Sequence, residues 1–130
     1  MLFWISAVLL LYLLQIYLSA LAMLPAIGVA TAFGSRDTLP DRGRIAGRAE
    51  RALVNMKENL PFFIVPSVLA YLVEGVDLEA AAMSVQVFFW ARLAFVGIYL
   101  TGLPWARSPF FALGLASNLY CMWLVLTAAG

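Results

Sequence analysis

Arg48, Arg51, Asn55 and Glu58 recur at intervals of three and four residues in the stretch RAERALVNMKENLPFF, residues 48–63. On a helix turning about 100° per residue, with Arg48 at zero, Arg51 falls at about 300°, Asn55 at about 340° and Glu58 at about 280°. These side chains form one narrow polar stripe. Glu50 and Lys57 fall at about 200° and 180°, on a different face. Further along, Arg92, Phe95 and Tyr99 repeat the spacing, and Arg107 is followed directly by Ser108. Guanidinium groups grip carboxylates through a planar two-point fork, and a carboxylate such as that of Glu58 accepts an ammonium group. The set suits a small polyanionic or zwitterionic ligand with several carboxylates.

Each residue alone has a plainer reading. Arg48 and Arg51 could be juxtamembrane charges, Arg107 a loop charge and Asn55 interhelical glue. Arg92 and Glu58 could form an ion pair that fixes helix register. An arginine inside a membrane span costs about 2.5–3.5 kcal/mol on insertion scales and usually faces a bundle interior with a partner. Glu58 is the expected partner of Arg92. Convergence of all these groups on one cavity is what the ligand reading requires.

The elements that must position them are membrane helices. Hydrophobic residues make up 65% of the 130 and charged residues 12%, with a mean hydropathy of +0.96, too little polar surface for a soluble domain of this size. Leu2–Phe33 carries no charged side chain. About 20 helical residues cross a hydrocarbon core, and the basic n-region of a secretory signal is missing. Hydropathy predicts an all-α integral membrane protein, a single domain over residues 1–130 with four spans at about 2–32, 45–73, 79–102 and 108–128. The first is longer than a bilayer needs, and Pro25 and Gly28 mark a kink in it. The first connection carries Arg36, Arg42 and Arg44, the second is acidic, and the third carries Arg107. The positive-inside rule therefore puts the first and third connections on the cytoplasmic side.

One cysteine and no histidine exclude an internal disulfide, zinc or haem sites built on His or Cys clusters, and histidine general-base catalysis. No metal is expected. Cys121 sits in SNLYCMWLVL, where a free thiol packs as a small hydrophobe.

At these residues the sequence resembles the MAPEG family, membrane-associated proteins of eicosanoid and glutathione metabolism. The resemblance rests on R-x-x-x-N-x-x-E-x-x-P at Arg51, Asn55, Glu58 and Pro61, and on ARLAFVGIYLTGLPWARS, residues 91–108. It implies a homotrimer of four-helix transmembrane bundles that holds glutathione between protomers, in a multi-pass protein of a bacterial inner membrane with its site on the cytoplasmic side. By position, Arg51, Asn55, Glu58, Tyr99 and Ser108 would contact glutathione, Arg92 would support or join them, and Arg107 would favour the thiolate. The implied activity is a glutathione transferase, with possible peroxidase activity, acting on lipophilic electrophiles from the bilayer. Glutathione is then co-substrate, and membrane lipids surround the trimer; no nucleic-acid partner is implied. Phe95 stands where enzymes of the family often carry Tyr or His, so one ligand hydrogen bond is lost. Asn59 stands where some members have Tyr.

Two other readings compete. A non-catalytic member would bind a lipid or a partner protein. A small four-span exporter would need an acidic residue deep in the first span, and Leu2–Phe33 has none.

Overall fold

Four helices follow one another in the computed structural model: α1 (Leu2–Phe33), α2 (Arg44–Leu72), α3 (Leu78–Thr101) and α4 (Arg107–Ala129). The structure describes residues 1–34, 43–103 and 105–130, so the expectations for Arg36 and Arg42 fall outside the described residues. Every helix bound lies within one residue of the one read from hydropathy.

Local chemistry explains the ends and bends. In α1 the backbone leaves helical geometry at Gly28 (φ 75°, ψ 158°), three residues after Pro25. Proline supplies no N–H to the preceding turn, and glycine adopts a positive φ without a Cβ clash. The long first helix therefore breaks where Pro25 and Gly28 mark it. Asp77 caps α3 by accepting from the backbone N–H groups of Glu79 and Ala80, both at 3.0 Å, which satisfies two donors that the first turn leaves free. Gly102 ends α3 in the left-handed region at φ 84°.

The helices pack as a bundle in which α2 touches α1, α3 and α4. Val8, Met56, Phe63, Val85 and Phe88 form a central cluster, with the Phe63 and Phe88 rings stacked at 4.5 Å. Ala70, Ala81, Cys121 and Val125 form a second cluster, so Cys121 packs as a core residue. A third, of Ala52, Phe95 and Val96 with Tyr99, Phe110 and Phe111 beside it, lies under the polar stripe.

Among the described residues three helices, α1, α3 and α4, are long and apolar enough to cross a membrane. Hydropathy led us to expect four spans, and α2 departs from that. Arg44, Arg48, Glu50, Arg51, Lys57 and Glu58 crowd its first half, leaving too short an apolar stretch. It is nevertheless embedded in the bundle by contact with the other three. Large apolar side chains such as Leu14, Leu21, Trp90, Leu119 and Leu126 are exposed around the outside, as expected where lipid rather than water is the solvent. The chain is an integral membrane protein.

Candidate functional site

Arg51, Asn55 and Glu58 come from α2, Tyr99 from α3, and Arg107 and Ser108 from the first turn of α4. All six line one open cavity of about 440 Å³, with Val54, Phe95 and Phe111 as its apolar walls. Its volume is in the range of small-molecule sites. Residues 56 positions apart in the chain meet here because α2 and α4 both pack along α3.

Arg92 is elsewhere. It is 1% exposed and does not line the cavity. Its guanidinium lies behind the wall, 4.9 Å from the centre of the Phe95 ring and 5.7 Å from that of Phe88. Such placement over ring faces is favourable for a cation. Its Nη2 donates to Asn55 Oδ1 at 2.8 Å and to the Asn55 main-chain oxygen at 3.0 Å. The expected Arg92–Glu58 pair is therefore not formed. Glu58 is exposed on the cavity side and has no ion-pair partner among the described residues. The reason is angular: Glu58 lies about 60° around the helix from Asn55, which carries it away from α3.

Two departures in the sequence acquire reasons. Phe95, 4% exposed, offers no hydroxyl, but its ring covers the buried guanidinium. Asn59 is buried and donates from Nδ2 to the Asn55 main-chain oxygen at 2.8 Å, so it acts inside α2 rather than in the cavity.

Arg107 is held by a second ring. Its guanidinium carbon lies 4.7 Å from the centre of the Tyr99 ring, and Tyr99 in turn sits 5.4 Å from Phe95. Phe88, Arg92, Phe95, Tyr99 and Arg107 thus make a continuous column of rings and cations along α3 to the start of α4. The arrangement fixes the height of Arg107 even though it begins a helix with no side-chain cap.

The helical stripe included Arg48, whereas the family resemblance gave it no ligand contact. Its Nη1 donates to the Leu100 main-chain oxygen at 3.0 Å, across from α2 to the last turn of α3. A Cβ on Gly102 would overlap the Arg48 guanidinium. Arg48 opens the stripe that Arg51 continues, and that position was the available signal.

A bundle of membrane helices with an arginine-rich, mixed-charge cavity in its side is the class of protein these observations define. The MAPEG family model matches residues 1–127, and the chain belongs to that family. No curated protein matches it significantly.

Proposed function

We propose that the cavity binds glutathione and that the protein conjugates glutathione, through its thiolate sulfur, to lipophilic electrophiles. The observation that carries this reading is the convergence of Arg51, Asn55, Glu58, Tyr99, Arg107 and Ser108 on one cavity. Glutathione brings two carboxylates, an ammonium group and a thiol. Arg51 would take a carboxylate, Glu58 the ammonium group, and Asn55, Tyr99 and Ser108 the amide and carboxylate oxygens. Arg92 would act from behind, by holding Asn55.

Arg107 would favour the thiolate. A thiol with a reference pKa near 8.5 is only a few per cent ionised at neutral pH, and lowering it by roughly 2 units requires about 2.7 kcal/mol. One guanidinium at ~4 Å, in a medium of effective dielectric ~20, supplies about 4 kcal/mol. Arginine keeps its proton throughout, so it serves as a fixed charge and not as a base. The thiolate sulfur forms a bond to the electrophilic carbon; the electron pair displaced there leaves with its group or takes a proton from water. The apolar walls Val54, Phe95 and Phe111 suit an electrophile arriving from lipid.

The reading extends to a homotrimer with its site toward the cytoplasm. Arg51 and Glu58 are exposed on the outside of one protomer, on a helix whose neighbours face lipid, and leaving charges there is costly. A neighbouring copy over this face would remove that cost and close the cavity.

Titration with glutathione in detergent, followed by thiolate ultraviolet absorbance, tests the reading. Saturable absorbance at neutral pH is expected. Binding without thiolate absorbance would favour a non-catalytic lipid- or partner-binding member, to which the lack of a hydroxyl at Phe95 points. No binding would remove the glutathione reading.

A further inference from the structure

Lys57 stands near the middle of α2, about 9 Å further along the helix axis than Arg51. It is exposed and has neither an ion pair nor a hydrogen bond among the described residues. With Tyr12, Leu60, Pro61, Ile64 and Val65 it borders a groove of about 230 Å³ between α1 and α2. No acidic side chain lines that groove. Glu50, on the same side of α2 by the helical wheel, lies about 10 Å nearer the helix start. The groove shares no lining residue with the cavity described above. Lys57 also lies about 100–120° around α2 from Arg51 and Glu58, off the face that a neighbouring copy would cover.

We infer that this groove is a site for one anionic phospholipid, whose phosphate meets Lys57 while an acyl chain lies along α2. An ammonium group on the outside of a membrane-embedded helix is costly without a counter-charge. A lipid phosphate supplies one through a charge-assisted hydrogen bond. The rest of the lining fits that occupant. Leu60, Ile64 and Val65 follow Lys57 at intervals of three, seven and eight residues, so an apolar strip continues on its side of the helix for about 12 Å. Tyr12 brings to the α1 wall a phenol hydroxyl that has no hydrogen-bond partner among the described residues. Both polar side chains of the groove donate hydrogen bonds, as a phosphate requires. A zwitterionic lipid carries a cation beside its phosphate, which the Lys57 charge repels; an anionic lipid carries none. The inference is independent of the glutathione reading.

The test uses the full chain in detergent, without glutathione, and compares binding of dioleoylphosphatidylglycerol with that of dioleoylphosphatidylcholine by native mass spectrometry. The anionic lipid is expected to bind about tenfold more tightly, the scale of one charge-assisted hydrogen bond. Lys57→Gln should bring that ratio close to one, whereas Lys57→Arg keeps the charge and should retain it. Val65→Trp, which fills the groove and leaves the charge in place, should weaken phosphatidylglycerol binding by a similar factor. Arg44→Gln, at the exposed start of α2, should leave the ratio within about twofold. Equal affinity for the two lipids would overturn the inference, as would unchanged binding in Val65→Trp. Equal losses in Arg44→Gln and Lys57→Gln would overturn it too, because attraction by any basic group near the surface would then account for the preference. Loss of oligomeric mass in Lys57→Gln with the lipid ratio intact would mean that a second copy covers the groove. A raised KM for glutathione in Lys57→Gln with the lipid ratio intact would put Lys57 at a neighbouring copy's cavity. Either result would overturn the lipid site, whereas failure of glutathione to bind would overturn only the glutathione reading.

Discussion

Arg92 Nη2 donates to both acceptors of Asn55, the side-chain Oδ1 at 2.8 Å and the main-chain oxygen at 3.0 Å. This commits the oxygen end of the amide to the bundle interior and leaves Nδ2 as the end available to a ligand. A ligand atom meeting Asn55 must therefore accept a hydrogen bond. The buried guanidinium sets the chemistry of a cavity it does not touch.

The pair should show in stability. Asn55→Ala removes one of the two acceptors of a charge that is 1% exposed, and a hydrogen bond to a charged group is worth about 1.5–3 kcal/mol. A loss on that scale is expected in unfolding from detergent. Combining it with Arg92→Met should cost less than the sum of the single changes, because the partner charge is no longer stranded. Additive losses would mean that the two side chains are energetically independent.

Glu58 should behave differently. It is exposed, with no ion-pair partner among the described residues, so Glu58→Gln should change stability by no more than about 0.5 kcal/mol. Glutathione affinity should nonetheless fall, because the variant loses the charge opposite the ammonium group. Thermal unfolding beside a binding titration checks both halves. A stability loss as large as that of Asn55→Ala would place Glu58 in the Arg92 network after all.

Gly102→Ala should be costly for two separable reasons. A non-glycine residue at φ +84° carries strain of about 1–3 kcal/mol, and the new methyl group meets the Arg48 guanidinium. Adding Arg48→Ala should relieve the second contribution and leave the first. Full recovery in the double variant, read by thermal unfolding, would show that the backbone conformation is not strained.

Hydropathy and turn chemistry were enough to locate the helices and the break at Gly28, because both depend on local sequence. The stripe Arg51, Asn55, Glu58 was legible for the same reason, since helical spacing alone puts those residues together. The partner of Arg92 was not. A helical wheel ranks side chains by direction, whereas pairing depends on how α3 is rotated and how far down α2 the crossing falls. Charge complementarity pointed to Glu58, but the crossing puts Asn55 within reach. Phe95 was read as a lost hydrogen bond because its other face, against Arg92, belongs to tertiary packing. Arg48 and Gly102 are 54 positions apart, and nothing local joins them.

Assembly can be checked directly. The exposed face of α2 bearing Arg51 and Glu58 should be covered by a second copy, so mass measurement in mild detergent should give a trimer. Phe62→Glu, at about 320° on the same helical wheel, exposed and outside the cavity lining, should shift the population toward smaller species. A protein that is monomeric before any substitution would remove the trimer and leave the cavity open to lipid.

Arg51 and Arg107 line the same cavity yet should fail in opposite ways when removed. Arg51→Ala should raise the KM for glutathione with kcat little changed, because a carboxylate contact is present in ground and transition states alike. Arg107→Ala should instead lower kcat by about tenfold or more while KM holds, since its charge acts on the sulfur. The sign of the pH effect follows. A cation beside a thiol lowers its pKa, so losing it moves the rising limb of the pH–rate profile to higher pH. Raising pH should then rescue Arg107→Ala, because bulk deprotonation replaces the missing charge. Arg107→Lys should recover part of the neutral-pH rate, as a point charge remains although the planar group over Tyr99 is gone. Steady-state kinetics between neutral and alkaline pH measures all three. Unchanged turnover of Arg107→Ala near neutral pH would reduce Arg107 to a topology signal, and the non-catalytic reading would take its place.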